Sequence, residues 1–165
     1  MRTGVRIGVD VGKARIGVAR SDFHGMLATP VETVARDAAG ITDLARLAEI
    51  AAELDAFEVV VGLPLNMRGE HTPSTDDATG FAARLAARLA PAGIGTRLVD
   101  ERLSTVSAQG QLRQAGKKTK QSRSIIDQAA AVVILQHALD SERAQGEAPG
   151  SAVDVAAPDA KENVE

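Results

Sequence analysis

The sequence predicts an α/β fold with a mixed five-stranded sheet, in which three antiparallel strands precede βαβ units and helices cover both faces. Two observations support this. Short apolar runs rich in Val and Ile occupy residues 4–34 and are separated by turn residues, which favours antiparallel neighbours. From residue 41 onward, segments with helical periodicity alternate with apolar runs. That alternation is typical of parallel strands joined by helices.

The elements follow from these patterns in chain order. The first three strands are expected at 4–11, 14–20 and 26–34, with a turn at Gly12, and Pro30 favours an edge position for the third. Apolar residues then recur every three or four positions in the helical segments, whereas the later strands are short apolar runs. Helices are expected at 41–56, 76–90, 104–115 and 122–140, and strands at 57–64 and 96–101.

Charge divides the chain into a body and a tail. Residues 1–143 contain 18 basic and 17 acidic groups, whereas residues 144–165 contain five acids and one base. The tail has no periodicity and is rich in Ala, Gly and Pro, so we expect a domain at 1–143 followed by an acidic disordered tail at 144–165. The chain lacks cysteine, an apolar run of about 18 residues and a signal-peptide pattern, which favours a cytoplasmic protein without a membrane partner.

Acidic residues fall where the predicted strands end. Asp10 interrupts an apolar strand, Asp100 and Glu101 end the last strand, and Asp127 lies near the start of the last helix. Because functional sites in α/β sheets collect at the carboxyl ends of strands, Asp10, Glu101 and Asp127 are candidates for one catalytic site. Each acid alone could instead be a solvated strand end, a helix cap or a partner of the helix dipole.

Clustered carboxylates repel one another unless a cation joins them. Oxygen ligands favour Mg²⁺ or Mn²⁺, and Asp10, Glu101 and Asp127 are therefore also the candidate metal ligands. A zinc site is disfavoured, because the chain has no cysteine and only three scattered histidines.

A basic segment lies between the last two of these acids. Residues 102–126 contain no acid. The six basic residues of the segment are Arg102, Arg113, Lys117, Lys118, Lys120 and Arg123. Cations beside a carboxylate cluster suit a phosphodiester substrate, although a solvated loop would have the same composition. The chain has three Phe and no Trp or Tyr, so backbone contacts are expected rather than base stacking.

Two further places could contact nucleic acid. Asn66 and Arg68 lie in a loop that follows a buried strand and would share the sheet edge of the acids, although the loop could equally be a plain connection. Lys13 lies at the first turn and Arg15 just after it, close in sequence to Asp10. We include all four as candidate nucleic-acid contacts.

Four ordered blocks carry a resemblance to a known family: GVDVGKARIGVARSD, VVGLPLNMRGE, VDERLST and IDQAAAVVILQHALD. The chain resembles, over about residues 4–140, the YqgF family of ribonuclease H-like nucleases, described as Holliday-junction resolvases and as nucleases that mature the precursor of 16S ribosomal RNA. The resemblance implies a ribonuclease H-like fold and metal-assisted hydrolysis, with Asp10 bridging two cations that Glu101 and Asp127 also hold. The sequence departs from the family pattern at Arg68 and Ser124, which affects substrate contacts rather than the metal site.

The expected partner is nucleic acid, either precursor ribosomal RNA or branched DNA, and the ribosomal small subunit is a further candidate. The chain could act as a monomer or a homodimer. Two rival functions stay open at this point. DVGKARIG loosely fits the phosphate loop of sugar and acetate kinases, and a non-catalytic RNA-binding assembly factor would need the basic loop without the acids.

Overall fold

The computed structural model describes residues 1–101 and 120–155, and for residues 120–124 it describes the backbone alone. The strands are β1 (Val5–Val11), β2 (Arg15–Ser21), β3 (Ala28–Ala35), β4 (Ala56–Leu63), β5 (Gly95–Asp100) and β6 (Ser151–Ala152). The helices are α1 (Thr42–Glu53), α2 (Pro73–Leu89) and α3 (Lys120–Gln145), and a 3₁₀ turn (Ala90–Ala92) follows α2. The helix predicted at 104–115 lies outside the described residues. No helix in the described part of the chain is long and apolar enough to cross a membrane.

The strands form one mixed sheet in the order β3-β2-β1-β4-β5-β6. β1 pairs antiparallel with β2, and β2 with β3, whereas β1 pairs parallel with β4, and β4 with β5. The predicted mixed sheet, with an antiparallel meander before parallel units, is therefore confirmed. The predicted count of five strands is wrong, because β6 adds a sixth strand antiparallel to β5.

Side-chain alternation along the strands divides the core between two faces. Val9 and Ile16 belong to a buried cluster with Leu85 of α2, whereas Val60 lies in a second cluster with Leu135 of α3. Because successive strand residues point to opposite faces, α1 and α2 cover one face and α3 covers the other. Helices on both faces were predicted, and the structure confirms them.

Local chemistry explains where α2 begins. The sequence periodicity predicts a start at 76, but the helix begins at Pro73. Thr72 caps it, since the Thr72 hydroxyl accepts the Thr75 N–H while the Thr75 hydroxyl accepts the Thr72 N–H. A proline at the first helical position lacks an N–H that would otherwise be unsatisfied there. Capping residues rather than apolar spacing therefore set the start of α2.

An ion-pair network holds the carboxyl half of α3 against the sheet. The Glu142 carboxylate accepts hydrogen bonds from Arg2 at 2.9 Å and from buried Arg6 at 3.3 Å, and Arg2 also pairs with Glu58 of β4 at 2.9 Å. The hydrogen bond from Arg2 lowers the pKa of Glu142 to about 2. These contacts fix α3 near the start of β1, so the amino-terminal half of the helix lies toward the strand ends.

The first part of the predicted tail is ordered. After α3, the chain turns at Gly146 and Gly150, and β6 pairs with Arg97 and Leu98 of β5. The Arg97 guanidinium donates hydrogen bonds to the carbonyls of Pro149, at 2.5 Å, and Gly150, at 3.1 Å. The expectation of disorder from residue 144 is therefore wrong for 144–155, because backbone pairing needs no hydrophobic period. Residues 156–165 lie outside the described residues.

Two glycines of this segment test its contribution to stability. Gly150 and Gly146 both have a left-handed backbone, with φ of 64° and 75°. A Cβ at Gly150 would collide with the Leu98 carbonyl oxygen and lie 2.7 Å from Val99 Cγ1, whereas a Cβ at Gly146 would meet nothing within 4 Å. Gly146→Ala should lower the free energy of unfolding by about 1 kcal/mol through backbone strain. Gly150→Ala should lower it by about 1–3 kcal/mol more, because it also overpacks the contact with β5.

The measurement is urea unfolding of both variants under one condition. Equal losses of stability in Gly150→Ala and Gly146→Ala would show that the segment before β6 does not pack on β5.

Candidate active site

Asp10 lies in a row of residues that crosses three neighbouring strands. It pairs directly with Gly17 of β2. On the other side, Val9 pairs with Val61 of β4, so Gly62 is the next residue of β4 in that register. Asp10 is thus flanked on both sides by residues without side chains, and all three face α3 because they alternate with residues of the opposite core cluster.

Gly17 allows α3 to lie directly on β2. A Cβ at this position would collide with the backbone carbonyl oxygen of Asp127. A backbone atom of a packed helix cannot give way as the end of a side chain can, so a larger residue would push α3 off the sheet. Because cross-strand partners lie about 4.5–5.5 Å apart, the absence of a side chain at Gly17 brings Asp127 close to Asp10.

Gly62 has the same role for Glu101. A Cβ at Gly62 would collide with the Glu101 Oε2 and lie 2.7 Å from Ile134 Cδ1. Glu101 follows the end of β5 and is 8% exposed, and its N–H donates to the Leu63 carbonyl at 3.3 Å. The Glu101 carboxylate therefore lies over β4, on the other side of Asp10 from Asp127.

The three predicted acids act on one another electrostatically. Asp10 is half-buried, and no donor among the described residues forms a hydrogen bond to its carboxylate. Burial, and after it the neighbouring charges of Glu101 and Asp127, together raise the pKa of Asp10 to about 7. Such a pKa at the carboxyl ends of the strands is typical of a functional carboxylate, and no group in the described part of the chain compensates the charge.

Arg15 forms an ion pair with one of the three acids. Its Nε donates to the Asp127 Oδ2 at 2.7 Å. The Asp127 side chain is 17% exposed and that of Arg15 is 39% exposed, so solvent can reach the pair. Arg15 was predicted as a nucleic-acid contact, but in this structure it neutralises Asp127.

The carboxylate oxygens of the three acids are ligands of the type that divalent cations prefer. Asp10, Glu101 and Asp127 offer only oxygen ligands, and Asp10 has a raised pKa that a cation would relieve. Within the described residues, however, no three His, Asp or Glu side chains are arranged to hold a metal ion as they stand. The Arg15 contact gives a physical reason, because Asp127 already has a cationic partner.

The predicted nucleic-acid contacts divide into three groups. Lys13 and Arg68 are exposed. Asn66 is engaged within its own loop, since its Oδ1 accepts the N–H groups of Arg68 and Glu70 and its amide donates to the Glu70 carboxylate. The side chains of Arg102, Arg113, Lys117, Lys118, Lys120 and Arg123 lie outside the described residues.

The sequence reasoning missed the importance of Gly17 and Gly62. Isolated glycines inside apolar strands indicate a close approach of another chain segment, and that signal was present. It also missed the pairing of Arg15 with Asp127, which are 112 positions apart, and which no local pattern connects.

Comparison with known proteins identifies the family of the chain. The model of the RuvX family, described as Holliday junction resolvase, matches residues 4–141. The chain is 62% identical to a protein of Clavibacter sepedonicus over 93% of each chain. It is 57% identical to a protein of Leifsonia xyli over 93% of this chain and 97% of the other. Both relatives carry the name "Putative pre-16S rRNA nuclease".

A solved structure confirms the fold. The chain is similar to Thermus thermophilus RuvC in complex with a Holliday junction substrate, with a TM-score of 0.57 and 15% identity over 91% of this chain and 99% of that one. RuvC has a ribonuclease H-like fold, so the fold implied by the family resemblance is correct. At this identity the likeness concerns the fold alone.

Because the pKa of Asp10 is raised, replacing Asp10 by Asn should stabilise the folded protein by an amount that depends on pH. Its pKa is about 7 in the folded protein, against 3.8 for an ordinary aspartate. Below the lower value the folded and unfolded forms are both protonated, whereas between the two values the folded form binds more protons. Wild type should therefore lose stability as the pH rises from 4 to 7, and Asp10→Asn should not share this loss.

Urea unfolding in metal-free buffer at pH 4.5 and pH 8 checks this expectation. The difference in free energy of unfolding between Asp10→Asn and wild type should grow with pH in favour of the variant and reach at most about 4 kcal/mol. A gap that stays constant with pH would show that Asp10 titrates normally.

The Arg15–Asp127 pair predicts competition with a cation. Arg15→Gln should tighten Mg²⁺ binding by about two- to fivefold, because an ion pair of this exposure contributes about 1 kcal/mol or less. Lys13→Gln removes the same charge two positions away, and Lys13 has no carboxylate partner among the described residues, so it is the matched control. Calorimetric titration with Mg²⁺ measures both affinities, and an equal effect of the two variants would exclude a specific role for the pair.

Proposed function

We propose that this chain, which belongs to the RuvX family, is a metal-dependent nuclease that hydrolyses phosphodiester bonds in the cytoplasm. The observation that carries the proposal is the row of Gly17, Asp10 and Gly62, which brings Asp127 and Glu101 to either side of a half-buried acid. A fold that only bound RNA would gain nothing from this arrangement, because clustered carboxylates repel both one another and a phosphate backbone.

Asp10, Glu101 and Asp127 would hold Mg²⁺ or Mn²⁺. When bound, such a cation would polarise a phosphoryl oxygen as a Lewis acid and would lower the pKa of the water molecule that attacks the phosphorus. Asp10 has to be ionised to act as a ligand, and a bound cation favours its ionised form. Arg15 would leave Asp127 when the cation arrives, and its guanidinium would then be available to the substrate phosphate.

We propose the precursor of 16S ribosomal RNA as the substrate, with cleavage at its 5′ end. The names of curated relatives at 57–62% identity support this choice. An assembling ribosomal small subunit would be the setting in which the chain meets this RNA. Each comparison covers 93% of this chain.

Cleavage of branched DNA is the second candidate. It is supported by the description of the family model as Holliday junction resolvase. Both substrates present phosphodiesters to the same carboxylates, so the described site does not favour one over the other. A resolvase must cut two strands symmetrically and would need two copies of the chain, whereas trimming of one RNA end needs only one.

The test of catalysis compares two variants that make the same chemical change. Asp10→Asn should lower the cleavage rate by a factor on the order of 10²–10³, since it removes a group that acts on the reacting phosphate. Asp76→Asn alters a carboxylate that is 80% exposed on α2, and it should cleave like wild type. Both are assayed with Mn²⁺ on a labelled precursor RNA fragment and on a four-way DNA junction.

The same experiment decides between the substrates, because the true substrate should be cut much faster than the other, at a rate that depends on Asp10. Cleavage by Asp10→Asn at the wild-type rate would refute the site. Retained RNA binding with no cleavage by any form would favour the assembly-factor rival, and ATP binding would revive the kinase rival.

A further inference from the structure

A second, cationic cavity lies beside the turn between β1 and β2. It has a volume of about 620 Å³, which is within the range of ligand sites in proteins. Lys13 of the turn, Arg36 and Asp37 after β3, and Arg84 of α2 line it. The cavity thus opens beside α1 and α2, whereas the carboxylate site faces α3.

The carboxylates at this cavity are already engaged. Asp37 accepts hydrogen bonds from the N–H groups of Ala39, Ile41 and Thr42 at the start of α1, and these bonds lower its pKa to about 2. Asp37 therefore stays ionised through backbone N–H groups at and just before the start of α1, and it forms no salt bridge with another described residue.

Arg36 is engaged as well and holds the turn in place. Its guanidinium forms two hydrogen bonds with the Asp77 carboxylate at 2.9 and 3.0 Å and donates to the Gly12 carbonyl at 2.7 Å. The Gly12 contact fixes the turn that carries Lys13. Arg36 is therefore a positioning residue, because Asp77 neutralises its charge and its Nη1 and Nη2 groups already donate hydrogen bonds.

Among the cationic side chains that line the cavity, Lys13 and Arg84 are available to a ligand. Both are exposed, and neither forms a salt bridge with a carboxylate among the described residues. The Arg84 guanidinium lies 5.8 Å from the centre of the Phe81 ring. A guanidinium beside a flexible ammonium is suited to an anion with several oxygens, such as a phosphate.

The position of the cavity relates it to the carboxylates. Lys13 follows Asp10 by three residues, so the two Cα atoms are at most about 10 Å apart. One strand of a nucleic acid advances by about 3.4 Å per nucleotide. A strand with one phosphate at Asp10 could therefore place a phosphate a few nucleotides away near Lys13.

We propose that the cavity lined by Lys13 and Arg84 binds a backbone phosphate of the nucleic-acid strand, a few nucleotides from the bond that is hydrolysed. The inference rests on the proposed nuclease function and extends it to how the strand is held. Recognition there is independent of sequence, because both cations meet phosphate oxygens rather than base edges.

Binding is measured without cleavage, by fluorescence anisotropy of a labelled 20-nucleotide RNA in EDTA from 50 to 300 mM salt. Arg84→Ala and Lys13→Ala should each flatten the slope of log affinity against log salt by about 0.7 and weaken binding at 50 mM salt about five- to tenfold. Arg84→Lys keeps the charge and should recover most of the affinity.

Arg88→Ala is the matched control, since it removes the same exposed side chain one turn further along α2. It should bind RNA like wild type. An equal loss in Arg88→Ala and Arg84→Ala would overturn the proposal, because overall charge would then explain both. Full affinity in Arg84→Ala, whose melting temperature should match wild type, would overturn it too.

Inorganic phosphate at constant ionic strength distinguishes a site for a free anion. If phosphate raises the melting temperature of wild type but not of Arg84→Ala, while RNA affinity is equal in both, the cavity binds the free anion and not the strand. If wild type binds RNA and only the Arg84 effect is absent, this inference fails and the nuclease function stands. Absence of RNA binding by wild type would refute this inference and the choice of precursor RNA as the substrate, whereas the nuclease function is decided by the cleavage assay on both substrates.

Discussion

The close approach of α3 to glycines of the sheet is the constraint on which the site depends. Asp127 can lie over β2 only because Gly17 has no Cβ, and Glu101 can lie over β4 only because Gly62 has none. Gly8 extends the same surface, since a Cβ there would lie 2.7 Å from Leu135 Cβ. The sheet thus has glycines instead of packing side chains along one face, and carboxylates from distant parts of the chain can approach one another there.

That arrangement has an electrostatic cost that the rest of the fold must offset. The half-buried Asp10 has no hydrogen-bond donor among the described residues, and its neighbours are carboxylates. Arg15 compensates Asp127 locally, and at the other end of α3 the pairing of Arg2 and Arg6 with Glu142 holds the helix to the sheet. The carboxyl end of α3 is therefore anchored by ion pairs away from the candidate site, whereas the carboxylates at its amino end repel one another within that site.

Sequence patterns could predict the acids but not the contacts that define their surroundings. Asp10, Glu101 and Asp127 were found because strand ends and helix starts are visible in local hydrophobic patterns. The pairing of Asp10 with Gly17 needs a strand register, and the Arg15–Asp127 pair needs the docking of α3, and neither is encoded locally. β6 was missed for a related reason, since two exposed residues that pair through their backbone leave no hydrophobic signal.

The β1–β2 hairpin separates two kinds of charge. Asp10 and Arg15, on its two strands, face the carboxylate site beneath α3, whereas Lys13 at its turn lines the cation-rich cavity beside α1 and α2. Carboxylates concentrated at one point repel a phosphate backbone, so a strand that approaches them needs compensating cations elsewhere along its path. Under the proposed function, cations placed among the carboxylates would instead compete with a bound metal ion, and Arg15 at Asp127 would do so. A hairpin with Asp10 on one strand and Lys13 at its turn, which has no carboxylate partner among the described residues, satisfies both requirements within a few residues of chain.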